Sequence, residues 1–172
     1  EPFVIREFMQ ILRHELQLRP CLVLTNGTLQ LLKRLPEIAR LSLQPQPVRF
    51  RISIDHPDEQ QHDAGRGPGN FRLALAALRD LSERGFAVSV ARQSADGDDA
   101  AAVEARFRAL FRGAGIPESA PIVSFPDFLR PNSEGHVPVI TEACMTTYHT
   151  EATRASFMCA YTKMVVKRNG RL

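Results

Sequence analysis

A chain of 172 residues with 44% hydrophobic residues is long enough to form one domain with a buried core, which excludes a fibrous or disordered protein. Its formal net charge is +3, and because basic and acidic residues are interleaved along the chain, the charge gives little support for nucleic-acid binding. No apolar run approaches the roughly 20 residues of a membrane-spanning helix, and the first residues lack a signal-peptide pattern, so we expect a cytoplasmic protein with no membrane partner.

The first third of the chain predicts a helix, a strand and a second helix. Apolar residues recur at helical spacing from Phe3 to Leu18, which indicates an amphipathic helix that Pro20 ends. The short apolar run from Cys21 to Leu24 is typical of a strand that is buried on both faces. Thr28 is the expected N-cap of the next helix, which Pro36 kinks or restarts.

The central strand begins at Val48 and shows the alternation of a strand with one buried face. Pro57 ends it, and the polar residues from Asp58 to Arg66 predict a loop, after which Asn70 is the expected cap of a third helix. The alternating residues are Phe50, Ile52 and Ile54 on the apolar side and Arg49, Arg51 and Ser53 on the polar side.

Two further strands and a fourth helix complete the alternation. The third helix ends at Gly85, the third strand spans Phe86 to Ala91, and the fourth strand spans Pro121 to Phe125. The acidic loop from Ala95 to Asp99 could hold a cation, but helix capping is the simpler interpretation, because no other carboxylates converge on it. Strands that alternate with helices predict a parallel sheet, so the fold class is α/β, either a doubly wound sheet or part of a barrel.

The composition changes at about Pro126, where a stretch without periodicity begins. We therefore expect residues 1–126 to form the α/β domain and residues 127–172 to form a loop and an extra subdomain. The chain starts without a methionine and ends just after the turn signal of Asn169 and Gly170. We accordingly expect the chain to be a fragment.

Ligands of parallel α/β proteins bind outside the carboxyl ends of the strands. Hydroxyl, amide, carboxylate and guanidinium groups occur at the ends of the four predicted strands. Such a set suits a polar ligand that bears hydroxyl or carboxylate groups better than autonomous catalysis, so the catalytic residues stay unknown. The residues selected in this way are Thr25, Asn26, Ser53, Asp55, Arg92, Gln93 and Ser124.

Familiar catalytic and metal-binding motifs are weak or absent in the sequence. Ser53, His62 and Asp63 have the residue types of a hydrolase triad, but no nucleophile elbow surrounds the serine. The glycines from Gly65 to Gly69 lie too far past the strand for a dinucleotide-binding fingerprint, and no phosphate-binding loop occurs. His62 and Asp63 lack partners for a metal site, so we expect them to form hydrogen bonds within the loop.

Three segments together resemble the radical S-adenosylmethionine (SAM) superfamily. They are LVLTNGT (Leu22 to Thr28), FRISIDHPDEQQHD (Phe50 to Asp63) and RGPGNF (Arg66 to Phe71). The branch they resemble is the peptide-modifying, SPASM-type group that includes the anaerobic sulfatase-maturing enzymes. The resemblance implies that residues 1–126 form part of a (β/α)6 partial TIM barrel, from the helix after its second strand to its sixth strand. The first residues match the end of the family's GGEP motif, and the family's CxxxCxxC loop is absent from the chain.

The resemblance also implies a chemistry. Enzymes of this superfamily reductively cleave SAM at a 4Fe–4S cluster and use the resulting 5′-deoxyadenosyl radical to abstract a hydrogen atom from the substrate. The implied substrate is a peptide or a small molecule, and the implied one-electron donor is a protein such as flavodoxin or ferredoxin. Because the cluster-binding loop is absent, we expect this chain alone to be inactive.

The family pattern gives cofactor-binding roles to residues of this chain. Glu1 would contact the amino group of SAM, Ser53 its ribose or carboxylate side, and Arg66 its carboxylate. Asp55 matches the family aspartate, whereas His56 stands where the family has glycine and would narrow the pocket or contact the substrate. The residues that the resemblance places at the cofactor are Glu1, Thr25, Asn26, Ser53, Asp55 and Arg66.

Several alternatives remain open from the sequence. Arg66 would equally form a structural ion pair with Asp58, Glu59 or Asp63. For the whole chain, the rivals are an α/β barrel domain that binds a small phosphorylated or carboxylated metabolite and a non-enzymatic basic binding module. The second rival would use the basic run from Lys167 to Arg171, for which a solvated turn is the simpler interpretation.

The three cysteines have two interpretations. Their odd number and their spacing argue against a disulfide framework, so Cys21, Cys144 and Cys159 are each predicted to be small buried apolar residues. The resemblance implies instead that Cys144 and Cys159 bind an auxiliary iron–sulfur cluster at the start of a C-terminal extension. Two thiolates cannot complete an all-cysteine cluster site, which needs four.

Overall fold

The structure is a computed structural model that describes residues 1–94 and 99–126 together with Glu151. The predicted extension, with Cys144, Cys159 and the basic run from Lys167 to Arg171, lies outside the described residues. In the part of the chain that is described, no helix has the length and apolar character needed to cross a membrane.

Four parallel strands form one sheet. They are β1 (Cys21–Thr25), β2 (Val48–Ser53), β3 (Ala87–Ser94) and β4 (Ile122–Pro126), and they lie side by side in the order β1-β2-β3-β4. Every neighbouring pair is parallel, so each connection is a crossover. A sequential order is typical of a (β/α) barrel, whereas a doubly wound sheet reverses its strand order. The α/β prediction is confirmed, in the form of a partial barrel.

The N-terminal helix is shorter than predicted. A 3-10 turn (Pro2–Val4) precedes α1 (Phe8–Glu15), and the two are separate because the backbone at Ile5 is extended, with ψ of 124°. The amphipathic pattern is confirmed, since one side of this segment faces the core. The buried residues of that side are Met9, Leu12 and Leu16.

Two short helices, α2 (Leu29–Lys33) and α3 (Leu35–Ala39), follow β1, so the predicted restart at Pro36 is confirmed. Pro36 lies in the first turn of α3, where its missing N–H group costs no helical hydrogen bond. Thr28 precedes α2 at the predicted N-cap position, but its side chain forms no capping hydrogen bond. Its Oγ1 is buried without a hydrogen-bond partner in the structure, so Thr28 caps α2 by its backbone alone.

The segment predicted as a loop after Asp58 is a helix, α4 (Glu59–Arg66). The Asp58 carboxylate accepts a hydrogen bond from the Gln61 N–H at 3.1 Å and thereby caps the helix. The loop prediction was wrong because α4 buries only His62 and lacks the apolar face that helical periodicity requires.

The next helix, α5 (Asn70–Glu83), starts from Gly69 rather than from the predicted cap, Asn70. Gly69 has φ of +80°, and its N–H donates to the Asp63 carboxylate at 2.6 Å. The Phe71 N–H donates to the same carboxylate at 2.8 Å. Asp63 of the preceding helix therefore satisfies the free donors at the start of α5, and the Asn70 amide donates to carbonyl groups at the end of α4.

The third strand is longer than predicted, so Arg92 and Gln93 lie within β3 rather than after it. The last described helix, α6 (Ala100–Gly113), is capped by Asp99, whose carboxylate accepts hydrogen bonds from two N–H groups of the first turn at 3.1 and 3.0 Å. The predicted capping role is confirmed for Asp99, while residues 95–98 of that loop lie outside the described residues.

The two faces of the sheet differ in what covers them. Because successive side chains of a strand point to opposite faces, Phe50 and Ile52 lie on one face and Arg51 and Ser53 on the other. Helix α5 packs on the first face, which we call the helix face, against β2 and β3. We call the other face, which carries Arg51 and Ser53, the open face. The buried apolar strand residues of the helix face are Val23, Val48, Phe50, Ile52, Val88 and Val90, each at most 9% exposed. Leu22 and Leu24, on the other face of β1, are 48% and 57% exposed, so the prediction that β1 is buried on both faces was wrong.

Candidate functional site

Glu1 lies against the end of β1. Thr25, the last residue of that strand, is 3% exposed, and its hydroxyl donates to the Glu1 carboxylate, with Oγ1 3.0 Å from Oε1 and 2.9 Å from Oε2. The Asn26 N–H donates to Oε2 at 2.8 Å. The structure thus brings together three predicted site residues, and two neighbouring donors hold one carboxylate at the carboxyl end of β1.

Arg66, the last residue of α4, forms a bidentate ion pair with Asp55, which follows β2. Nε donates to Oδ2, and Nη2 donates to Oδ1 at 3.0 Å. Both side chains are largely buried, at 28% and 22% exposed. The alternative ion pairs of Arg66 with Asp58, Glu59 or Asp63 were wrong, because the helical form of α4 carries Arg66 back to the end of β2.

Asn26 joins these two groups. Its N–H donates to Glu1, and its Oδ1 accepts a hydrogen bond from Arg66 Nη1 at 2.9 Å. A continuous chain of hydrogen bonds therefore crosses the carboxyl ends of β1 and β2. We call its members the edge network: Glu1, Thr25, Asn26, Asp55 and Arg66.

His62 supports the edge network from the buried side of α4. The imidazole is 1% exposed, and its Nδ1 accepts a hydrogen bond from the Asp55 N–H at 3.2 Å. The ring packs edge-on against Phe71, with 5.7 Å between the ring centroids. Burial lowers the pKa of His62, although the nearby Asp55 carboxylate acts in the opposite direction. A neutral imidazole therefore positions the backbone of Asp55.

The predicted hydrogen bonding of His62 and Asp63 is confirmed. Asp63 accepts the two N–H groups at the start of α5, and these bonds, first that of Phe71 and then that of Gly69, lower the pKa of the Asp63 carboxyl. Over residues 1–94 and 99–126, no group of three or more histidine, cysteine or acidic side chains is arranged to hold a metal ion.

A cavity of about 320 Å³ opens beside the edge network on the open face of the sheet. Ser53 is half-buried in its wall, next to the ion pair of Asp55 and Arg66. Two apolar side chains, Leu24 and Phe125, also line it and are 57% and 45% exposed. The described residues that line it are Leu24, Arg51, Ser53, Asp55, Arg66, Ala91, Arg92, Gln93 and Phe125.

The predicted candidates on β3 and β4 divide between the two faces. Gln93 lies on the open face, in register with Phe125. Arg92 is 4% exposed, and its Nε donates to the hydroxyl of its register partner Ser124 at 3.0 Å. Arg92 and Ser124 alternate with the open-face residues, so their side chains belong to the helix face.

Sequence reasoning missed Arg51 as a site residue. The residue lines the cavity, and its Nε donates to Ser89 Oγ at 3.2 Å. A signal was present in the sequence, because Arg51 precedes Ser53 by two positions on a strand and must share its face.

Cys21 is the one cysteine within the described residues. Its thiol is half-buried and lies 3.7 Å from the Arg19 carbonyl, and burial followed by the charge of Glu15 raises its pKa. A four-iron cluster needs several thiolates. The part of the chain that the structure describes therefore does not fit such a cluster, whereas the carboxylate, amide and guanidinium groups of the edge network suit a polar organic ligand.

Comparison with known proteins gives one informative similarity. No protein-family model matches the chain. The chain is 35% identical over 105 residues to mycofactocin maturase MftC of Mycolicibacterium smegmatis (strain ATCC 700084 / mc(2)155). The match covers 58% of this chain and 27% of the maturase, so the chain spans about a quarter of the length of that relative. This similarity supports the radical SAM superfamily, to which the sequence motifs point.

Proposed function

We propose that this chain contributes the SAM-binding edge of a radical SAM enzyme that modifies a peptide. The observation that carries the proposal is the edge network, which collects a carboxylate, an amide and a paired arginine at the carboxyl ends of adjacent parallel strands. In barrels of this kind the strand ends form the ligand site. The similarity to mycofactocin maturase also supports this proposal.

Glu1 would bind the amino group of SAM. Its carboxylate is already held by the Thr25 hydroxyl and the Asn26 N–H, so its position is fixed before a ligand arrives. An ammonium group next to this carboxylate would form a charge-assisted hydrogen bond. Ser53, which lines the adjacent cavity, would donate its hydroxyl to the ribose or the carboxylate side of the cofactor.

Arg66 would bind the carboxylate of SAM through the donors that the edge network leaves over. A guanidinium group carries five N–H donors. Two of them bond to Asp55 and one to Asn26, which leaves one N–H on each Nη atom for a ligand. Asp55 is therefore a positioning residue, because it fixes the plane of the guanidinium group.

SAM supplies the radical hydrogen-abstraction chemistry when it is bound in an enzyme of this superfamily, and the protein supplies orientation and exclusion of water. The described residues do not hold the iron–sulfur cluster, so we propose that other residues of the whole enzyme hold it and that this chain alone is inactive. We further propose a peptide substrate, a soluble one-electron donor such as flavodoxin or ferredoxin, and a cytoplasmic location. Assignment to the SPASM-type branch, with Cys144 and Cys159 at an auxiliary cluster, stays a prediction.

The rival functions have less support. A domain for a small phosphorylated or carboxylated metabolite would use the same strand ends, but it does not account for the similarity to a radical SAM maturase. A basic binding module would depend on the run from Lys167 to Arg171, which lies outside the described residues.

Binding of S-adenosylhomocysteine, a redox-inert analogue of SAM, tests the proposed function. We expect isothermal titration calorimetry to detect binding to the chain, and we expect Glu1→Gln and Arg66→Gln each to weaken it about tenfold, because each removes a charge-assisted hydrogen bond. The matched control is Arg72→Gln, which removes an arginine whose ion pair with Glu59 is exposed. Binding that is insensitive to Glu1→Gln and Arg66→Gln would refute these roles.

A further inference from the structure

The cavity beside the edge network contains an arginine that the edge network does not use. Arg66 is paired with Asp55, and Arg92 donates to Ser124. Arg51 is half-buried, and the ion pairs formed within residues 1–94 and 99–126 do not include it. The guanidinium group of Arg51 therefore brings a positive charge to the cavity wall that no carboxylate of the described residues pairs with.

Ser89 holds the Arg51 side chain in place. Ser89 is 8% exposed, its hydroxyl donates to the Phe50 carbonyl at 3.4 Å, and its Oγ accepts the Arg51 Nε–H at 3.2 Å. The N–H groups of the two Nη atoms are not used in this contact. An arginine fixed in this way loses little conformational freedom when it binds an anion, because its planar fork is already oriented.

The cavity walls favour a carboxylate over a phosphate. Leu24 and Phe125, on the same face as Arg51, expose apolar surface to the cavity. A guanidinium group that no carboxylate of the described residues pairs with, in a cavity that exposed apolar side chains also line, matches a monoanion that is attached to a hydrocarbon group. A phosphate dianion would need several further donors, such as a helix N-terminus or a second unpaired arginine, and the remaining N–H groups of Arg66 are assigned to the cofactor carboxylate.

We propose that Arg51 binds a carboxylate group of the substrate, and that Leu24 and Phe125 contact the hydrocarbon next to that carboxylate. The proposal rests on the proposed function, because it gives this cavity to the substrate of the same site. It defines the substrate class as a molecule with a carboxylate on an apolar or aromatic framework. Arg51 is then a specificity-determining residue, with Ser89 as its positioning residue.

Two blocked dipeptides that differ only in charge test this proposal. One contains phenylalanine and glutamate, the other phenylalanine and glutamine, and both are acetylated and amidated. We expect the chain to bind the glutamate peptide about tenfold more tightly, and we expect that peptide to shift the NMR signal of the Arg51 Nε–H group. Acetate should compete better than inorganic phosphate. Equal affinity for the two peptides, an unmoved Arg51 signal, or stronger competition by phosphate would overturn the proposal.

Two arginine variants separate a site from a general charge effect. Arg51→Gln should abolish the preference for glutamate. Arg49→Gln should retain this preference, because Arg49 lies two residues earlier on β2. It lines a separate cavity with Arg84 and Phe86 near the amino ends of the strands. Loss of the preference in both variants would contradict a specific site. If Arg51→Gln does not fold, the Arg51 Nε–H signal of the unmodified chain is the test. A shift on addition of the glutamate peptide supports the proposal, and an unmoved signal overturns it.

Binding of S-adenosylhomocysteine distinguishes failure of this proposal from failure of the proposed function. We expect Arg51→Gln to bind it as the unmodified chain does, because the cofactor carboxylate is assigned to Arg66. If Arg51→Gln loses this binding, the carboxylate at Arg51 belongs to the cofactor, so the inference fails while the proposed function stands. If the unmodified chain binds no S-adenosylhomocysteine but still prefers the glutamate peptide, the proposed function fails and the carboxylate site stands.

Discussion

The helix face and the open face of the sheet are built from alternate residues of the same strands, yet they have different roles. On β2, Phe50 and Ile52 are fully buried under the helices, whereas Arg51 and Ser53 line an open cavity. Burial of apolar area is the main source of folding free energy, and convergent polar groups are the source of ligand specificity. A period of two in the sequence can therefore place residues that stabilise the fold and residues that bind a ligand within the same six-residue strand.

Phe50 and Arg51, neighbours on β2 that lie on opposite faces, should differ strongly in their contribution to the free energy of unfolding. Phe50→Ala should lower the free energy of unfolding by about 3 to 5 kcal/mol, because it leaves a cavity in the core. Arg51→Gln should lower it by only about 1 to 2 kcal/mol, because the residue is half-buried and its guanidinium group donates one hydrogen bond, to the neutral hydroxyl of Ser89. Urea denaturation measures both values. A similar loss for the two variants would break the distinction between the faces.

A second prediction concerns Gly27, where the edge network approaches the helix layer. Gly27 has φ of +68°, and a Cβ atom there would lie 2.9 Å from Ala74 Cα and 3.1 Å from Ile52 Cγ2. Gly27→Ala should therefore lower the free energy of unfolding by about 2 to 3 kcal/mol, since both backbone strain and overlap contribute. Gly85→Ala is the matched control, because Gly85 has φ of +81° and, apart from its two neighbours in the chain, no described residue has an atom within 4 Å of its Cβ position.

Gly85→Ala should lower the free energy of unfolding only through backbone strain, by roughly 1 kcal/mol. The difference between the two variants in urea denaturation then measures how closely the helix layer packs under the edge network. Equal losses for Gly27→Ala and Gly85→Ala would mean that α5 shifts readily to accommodate a methyl group.

His62 should give the free energy of unfolding a modest dependence on pH. The unfolded chain binds a proton at this histidine near its usual pKa of 6.5, whereas burial lowers the pKa in the folded state. The stability contribution of the neutral imidazole is therefore complete above about pH 6.5 and is lost as the pH falls from 6.5 through the folded-state pKa. The urea concentration at the midpoint of unfolding should therefore decrease as the pH is lowered from about 7 to about 5.

His62→Gln tests that assignment. The glutamine side chain does not titrate, and its amide oxygen can still accept the Asp55 N–H. We expect the variant to show a shallower pH dependence than the unmodified chain, while the other histidines contribute equally to both. If the urea midpoint of the variant changes with pH as steeply as that of the unmodified chain, the lowered pKa of His62 does not contribute to the pH dependence of folding.

Much of the fold follows from local patterns. The alternation around Phe50 predicted β2, the helix and strand order predicted a parallel sheet, and Asp99 capped a helix as expected. The helix α4 was missed because it buries a single residue, although a capping-box signal was present, with Asp58 followed three residues later by Gln61. Hydrophobic periodicity cannot detect a helix that stabilises itself mainly through capping and side-chain hydrogen bonds.

The candidate site was predictable in its members but not in their pairing. The rule for strand ends selected Thr25, Asn26 and Asp55, and in the structure Glu1 and Arg66 join them by hydrogen bonds. Which carboxylate pairs with Arg66 depends on the direction in which α4 leaves the sheet, and no spacing in the sequence specifies that direction. Asp55 is 11 residues from Arg66, and the hydrogen bond from Arg66 to Asn26 spans 40 residues.

The shortness of α4 limits how long the edge network stays assembled. This helix has 8 residues and only His62 is buried, so it resembles the segments that open locally at a free energy far below that of global unfolding. Each opening of α4 would withdraw Arg66 from Asn26 and Asp55 while the helix face of the sheet stays folded. A ligand that binds Arg66 would in turn hold α4 closed, so amide hydrogen exchange in this helix would slow down on ligand binding even though the core is unaffected.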